Sequence, residues 1–163
     1  MKKWRGLLRF WYLPLLSFYA MEAVHEAGHV LFAWLSGGAV RKVVLLPWEL
    51  SRTELAANPH PLFVAWGGVI CGVLLPLLLW LGFRRAKFAH VLRFFAGFCL
   101  VANGIYLGFG AFQRAGDCRE LLMYGTPFFL LPLIGFPAAA AGFALWNGLG
   151  KRFGWTGDGG GRS

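Results

Sequence analysis

The residues of this chain best suited to chemistry form the run His25-Glu26-Ala27-Gly28-His29, which contains the pattern HExxH. On a helix the two histidines stand four residues apart, so both imidazoles project from one face and can hold one ion. Zinc suits them, because imidazole nitrogen and carboxylate oxygen commonly bind it with one position left open for water. Glu26 is placed to take a proton from that water and pass it to a leaving amine. The pattern predicts a hydrolytic zinc centre, and the alternative is a polar contact between two helices.

A hydrolytic zinc needs a third protein ligand, and the chain offers few candidates. It contains only seven acidic residues, and burying one in lipid is costly, so their positions are informative. Asp117 is the main candidate, and His60 is the competing ligand. Glu120 and Cys118 are weaker candidates. The alternative interpretation of Asp117 is a solvated loop charge beside two arginines.

Three further polar residues are candidates for supporting roles. Glu22 lies one helical turn before the motif, where it can orient the His25 ring or line a polar cavity. Asn103 can bind a substrate carbonyl, although an interhelical hydrogen bond is the interpretation that we favour. His60, if it is not a ligand, is typical of an interfacial residue at a helix start or of a substrate-binding group.

The composition places these residues in lipid. Hydrophobic residues make up 58% of the 163 residues and charged residues 14%, too few polar side chains to cover a soluble domain. A disordered chain, a collagen-like chain and a disulfide scaffold are excluded. The net charge of +9 would suggest nucleic acid in a soluble protein, but here the basic residues lie mostly outside the apolar runs. We expect a multi-pass protein of a bacterial-type cytoplasmic membrane, with the lipid bilayer and no nucleic acid as a partner.

Four apolar stretches are long enough to cross a bilayer, which takes about 20 helical residues. They lie near 11–36, 60–83, 88–113 and 126–149. Between the first two, the short valine-rich segment Ala39–Leu46 predicts a strand or hairpin at the membrane surface, or else an extended interfacial loop. The predicted fold class is an all-α polytopic membrane protein with this short β-like segment. Residues 1–150 form one domain and 151–163 a flexible, glycine-rich basic tail.

The order of the spans decides whether Asp117 can reach the histidines. The first and third spans run in the same direction, so their C-terminal ends share one side of the membrane. His25 lies roughly 16 Å of helix before the end of its span, so the segment around Asp117 must dip back into the membrane. Counting Lys and Arg puts both chain termini in the cytoplasm.

The motif and the order of these parts resemble the site-2-protease-type intramembrane metalloproteases, peptidase family M50. In that family HExGH lies in the first core helix, a β-like segment follows it, and a Gly-Pro-containing helix comes next. The stretch from Ala65-Trp66-Gly67-Gly68 to Leu75-Pro76 is similar to that helix. A later helix supplies an aspartate ligand from an Asp-Gly motif, to which Gly116-Asp117-Cys118 is similar, with cysteine in place of the second glycine. The resemblance implies a zinc endopeptidase with His25, His29 and Asp117 as ligands and Glu26 as general base. In the family the motif helix often ends on the cytosolic side, opposite to the charge count.

These features predict an intramembrane endopeptidase whose substrate is a membrane-spanning or membrane-adjacent protein segment, locally unwound because a helix hides its carbonyls. The segment Ala39–Leu46 is a candidate to hold that substrate by edge pairing. One alternative is a non-catalytic, metal-binding membrane scaffold (a pseudoprotease) that binds other transmembrane helices. Another is a metal carrier or channel. A carrier or channel would need polar residues along several spans, and the second and fourth spans contain almost none.

Overall fold

The computed structural model of the protein describes residues 2–153, and their side chains from residue 11 onward. The chain forms, in order, α1 (Lys2–Leu35), β1 (Ala39–Val44), β2 (Arg52–Ala57), α2 (Pro61–Gly82), α3 (Ala89–Gln113), α4 (Gly116–Met123), α5 (Leu130–Trp146) and α6 (Leu149–Phe153). The first three residues of the predicted flexible tail, 151–153, are therefore helical. The rest of that tail lies outside the described residues.

Two helices within residues 2–153 are long and apolar enough to cross a membrane, namely α2 with 22 residues and α3 with 25. The helix α1 is longer, but the acids and histidines of its motif lower its hydropathy. The apolar helix α5 covers only 17 residues, fewer than the predicted span. Residues 126–129 are not helical and delay its start, and Asn147 and Gly148, the latter with a φ of 77°, end it. Four membrane-spanning helices therefore stay a prediction.

The long helices pack in the order α1, α2, α3, α5, and glycines lie where their backbones approach. A Cβ on Gly28 of α1 would overlap the carbonyl oxygen of Gly67 in α2. A Cβ on Gly104 of α3 would lie 2.6 Å from the carbonyl oxygen of Gly135 in α5. Small residues at these crossings let the helices pack closely, as is common between helices in membranes. As a result, the motif face of α1 lies directly against α2.

The predicted strand after the first helix is confirmed, as one half of an antiparallel hairpin. β1 pairs with β2, with Val40 opposite Leu55 and Val43 opposite Thr53. Of the predicted segment, Leu45 and Leu46 lie outside the strand. A hairpin was one of the predicted alternatives, but the position of its second strand at Arg52–Ala57 was not predicted, because alanine and glutamate favour strands weakly and pairing with β1 stabilises this strand.

The chain reverses sharply after α3 and returns to the bundle. Arg114 has a left-handed backbone conformation with a φ of 51°, and the N–H of Ala115 donates to the carbonyl of Gly110 at 3.4 Å. The helix α4 then packs back against α2 and α3, with Cys118 and Leu121 fully buried. This short returning helix is the dip that Asp117 needs in order to reach the first helix.

Candidate metal centre

Three side chains from α1 and α4 converge on one point. Nε2 of His25 lies 2.7 Å from Oδ2 of Asp117, and Nε2 of His29 lies 3.4 Å from the same oxygen. The two Nε2 atoms are 3.2 Å apart. Each residue thus offers a ligand atom within 4.8 Å of the other two. The three residues could therefore bind a single metal ion.

The other nitrogen of each imidazole is engaged by a neighbouring helix. Nδ1 of His29 donates to the carbonyl oxygen of Val64 in α2 at 2.9 Å, and Nδ1 of His25 donates to Oδ1 of Asn103 in α3 at 3.1 Å. Asn103 is itself oriented, since its amide donates to the carbonyl of Cys99 at 2.9 Å. A neutral imidazole that donates through Nδ1 presents an unprotonated Nε2, the form that binds a metal. Asn103 therefore forms an interhelical hydrogen bond that orients a candidate ligand.

Asp117 is positioned by Tyr106, a residue of α3 that the sequence did not single out. The backbone N–H of Asp117 donates to the phenol oxygen of Tyr106 at 2.8 Å. Gly116 has a φ of 51°, and a Cβ at that position would overlap the same phenol oxygen. Glycine is thus needed there both for its backbone conformation and for space. Tyr106 lies three residues after Asn103 and so on the same helix face, which is the signal that could have found it.

The charge of Asp117 suits a metal ligand. Burial alone raises the pKa of this carboxyl, but without a metal the hydrogen bonds that protonated Nε2 atoms of His25 and His29 donate to it outweigh burial and hold its pKa well below the usual range. Asp117 is therefore ionised at neutral pH, as a ligand must be. A bound metal would take the place of those two protons. Burial raises the pKa of the Cys118 thiol to about 11, and the charge of Asp117 raises it too. Cys118 therefore stays a neutral thiol, and its Sγ lies 3.6 Å from the carbonyl of Tyr106 in α3.

Glu26 is buried, with 3% of its surface exposed, and it is engaged by the hairpin. The hydroxyl of Thr53 in β2 donates to Oε2 of Glu26 at 2.7 Å. One turn earlier, the hydroxyl of Ser51 donates to Oε2 of Glu22. Residues four apart on a helix and two apart on an extended chain are both separated by roughly 6 to 7 Å, which permits the two parallel bonds. Neither Ser51 nor Thr53 was identified from the sequence. The signal that could have found them is their spacing of two residues, which matches the spacing of four between Glu22 and Glu26 on the helix.

The remaining candidates lie outside the cluster. His60 is exposed at the start of α2 and lines an apolar groove with Phe63, Trp66 and Tyr124 among others. Glu120 lies on α4 with much of its side chain exposed. The part that is buried raises the pKa of its carboxyl, and the charge of Asp117 raises it further. Within the described part of the chain, no group of three or more His, Cys, Asp or Glu side chains other than His25, His29 and Asp117 is arranged to hold a metal.

Gly68 of α2 leaves the space that the two imidazoles occupy. A Cβ there would lie 2.6 Å from Cε1 of His29 and 2.7 Å from Nε2 of His25. We expect Gly68→Ala to lower the affinity for zinc roughly 10- to 100-fold, as disturbed ligand orientation does elsewhere. Zinc content at a buffered free zinc concentration measures this. Gly82→Ala in the same helix is the control, because a Cβ on Gly82 meets nothing within 4 Å. Equal zinc content in the two variants would contradict the prediction.

No protein-family model, no curated protein and no solved structure matches this chain. His25, His29 and Asp117, with the residues that hold them, are therefore the features of this chain that bear on its function.

Proposed function

We propose that this protein is a zinc-dependent intramembrane endopeptidase. The observation that carries this is the set of three ligand-atom separations among His25, His29 and Asp117, which are 2.7, 3.2 and 3.4 Å. In a tetrahedral zinc site with bonds of about 2.0–2.1 Å, neighbouring ligand atoms lie about 3.3 Å apart. Two of the three separations therefore match the edges of one face of such a site, and the separation of 2.7 Å between His25 and Asp117 is shorter than such an edge.

The donor set also favours a catalytic site over a structural one. Two imidazoles and one carboxylate leave a fourth position open, whereas structural zinc sites are closed by four protein ligands. Among the described residues, no fourth His, Cys, Asp or Glu joins the cluster. The side chains of His25, His29 and Asp117 keep 12%, 10% and 20% of their surface exposed, so the centre is not sealed.

Glu26 has the chemistry of the proton carrier. When bound, zinc acts as a Lewis acid that polarises a carbonyl and makes water a nucleophile at neutral pH. The Glu26 carboxylate accepts a proton as the water oxygen bonds to the carbonyl carbon, and it returns the proton to the amide nitrogen as the C–N bond breaks. Because Thr53 donates to Oε2, we assign this proton transfer to Oε1. The same hydrogen bond holds the carboxylate in one orientation.

The outer surface supports a location in the membrane. Besides the apolar helices α2 and α3, large apolar side chains are more than half exposed on all four long helices, among them Trp34, Leu78, Phe109 and Phe143. So large an apolar surface is rare on a soluble monomer and is matched by lipid. We therefore place α1, α2, α3 and α5 across the bilayer, as a multi-pass protein.

The substrate that this location implies is a membrane-spanning or membrane-adjacent protein segment. Such a segment must be locally unwound before its carbonyls are accessible, since a helix uses them in its own hydrogen bonds. In a two-stranded sheet each strand keeps one unpaired edge, and the hairpin touches the motif helix through Thr53. We assign the capture of the unwound segment to a free edge of this hairpin, by added strand pairing.

Cleavage of membrane-spanning reporters tests the proposed activity. We expect the protein in lipid nanodiscs to cut at least one member of a panel of reporter segments that carry helix-breaking residues. A zinc chelator should stop cleavage and added zinc should restore it, because the ligands hold the metal reversibly. If the protein binds one zinc ion per chain and cleaves no member of the panel, the proposed peptidase activity is wrong and the non-catalytic scaffold is favoured.

A further inference from the structure

A second cavity lies where α3 ends and α5 begins, on the outward side of α4. It is a groove of about 610 Å³. The lining residues are Arg114, Arg119, Leu122, Met123, Thr126 and Phe128. None of the three candidate metal ligands is among them, because Asp117 faces the bundle from the opposite side of α4. The groove is therefore separate from the metal centre.

Two guanidinium groups line this groove, and in the described part of the chain neither forms an ion pair, although the carboxylate of Glu120 is close enough to Arg119 to interact with its charge. Arg114 and Arg119 are both exposed. Within the described residues, the ion pairs of arginine are those of Arg52 with Glu49 and Glu54, in the hairpin region. Paired guanidinium groups are well suited to binding phosphate oxygens through charge-assisted hydrogen bonds. The groove therefore favours an anion that carries more than one acceptor oxygen.

Apart from Thr126, the rest of the lining is apolar, and a small soluble anion would leave these apolar side chains uncovered. Met123 has 64% of its surface exposed. Phe128 packs edge-on against Phe112 of α3, with ring centroids 5.0 Å apart. An amphiphile with an anionic head and an apolar tail would cover both the cations and these side chains.

The position of the groove along the bundle agrees with such a ligand. Arg114 directly follows α3, one of the two helices long and apolar enough to cross a membrane. The end of a spanning helix lies at the level of the lipid headgroups, and long basic side chains near helix ends reach that level. Arg114 is therefore at the depth of phosphate, and Arg119, on the returning helix α4, lines the same groove together with Met123 and Phe128.

We propose that this groove binds an anionic phospholipid, with its phosphate on Arg114 and Arg119 and its acyl chains along Met123 and Phe128. The site rests on the proposed membrane location, and it is independent of zinc and of peptide cleavage. Bound lipid would join α4 to the start of α5 and so support the helix that carries Asp117.

Lipid titration of the purified protein in a neutral detergent, followed by native mass spectrometry, tests this site. We expect phosphatidylglycerol to bind more tightly than phosphatidylcholine. The double variant Arg114→Asn/Arg119→Gln should lower the affinity for phosphatidylglycerol roughly 10-fold or more, as loss of hydrogen bonds to a charged group implies. Asparagine is chosen at 114 because it tolerates the left-handed backbone conformation. Unchanged affinity in this variant overturns the site.

The matched control is Arg84→Gln/Arg85→Gln, which removes two exposed charges from the connector between α2 and α3. This control should bind phosphatidylglycerol as tightly as the unaltered protein. A loss of affinity equal to that of the Arg114→Asn/Arg119→Gln variant would mean that the lipid is attracted by charge alone, and it would overturn the site. Inorganic phosphate should compete poorly; displacement of the lipid by phosphate at equal concentration would make the ligand a soluble anion. If the double variant fails to fold, Met123→Glu at an exposed position replaces it as the test. This variant should also weaken lipid binding, and unchanged affinity would overturn the site. A single peak in size-exclusion chromatography and an unchanged circular dichroism spectrum report that each variant is folded, and neither zinc nor a cleavage assay enters this test.

Discussion

Replacing Glu26 with glutamine is expected to abolish cleavage of membrane-spanning reporters while zinc stays bound. Glutamine has nearly the same shape, and its amide oxygen can still accept the hydrogen bond from Thr53 that orients this side chain. It cannot accept and return a proton, and the loss of a general acid–base group lowers rates about 10²- to 10⁴-fold. Initial cleavage rates and zinc content, measured on the same preparation in nanodiscs, give the two readouts.

Glu22→Gln is the matched control for this experiment. Glu22 lies one helical turn earlier in α1 and also accepts a hydrogen bond from a hydroxyl of the hairpin region, that of Ser51. It is outside the ligand cluster, so we expect its variant to keep most of the cleavage rate. Cleavage by Glu26→Gln at the rate of the unaltered protein, with full zinc content, would assign the proton transfer to another group.

Replacing Asp117 with asparagine is expected to remove the metal itself. The substitution keeps the size of the side chain but takes away the anionic oxygen that lies 2.7 Å from His25 and 3.4 Å from His29. Two neutral imidazoles remain, and we expect the zinc affinity to fall by more than the roughly 10- to 100-fold that is typical when only a supporting residue is lost. Competition with a chelator of known zinc affinity measures the change.

His60→Gln shows whether the third ligand is correctly assigned. His60 is exposed and lies outside the cluster, so this variant should keep both its zinc and its affinity. The opposite pattern, with zinc retained in Asp117→Asn and lost in His60→Gln, would transfer the third ligand to His60. A loss in neither variant would mean that two histidines and another group hold the metal.

The parts that could be predicted from the sequence are those that local geometry decides. Four residues make slightly more than one helical turn, so the spacing of His25 and His29 alone places both imidazoles on one face. The apolar runs likewise predicted the two membrane-capable helices, and the valine-rich run predicted the strand β1. These features depend on neighbours in sequence, and the structure leaves them in place.

The sequence by itself therefore determined the motif helix, its two candidate ligands and the adjacent acid, because helical periodicity requires no distant contact. Only the tertiary structure decided how the centre is completed. Asp117 reaches His25 across 92 positions of sequence, and Asn103 reaches it across 78. Those contacts depend on the left-handed residue Arg114, which returns α4 to the bundle, and on close helix packing, including the space at Gly68. Such long-range packing is a property of the whole bundle, so no local pattern could specify it.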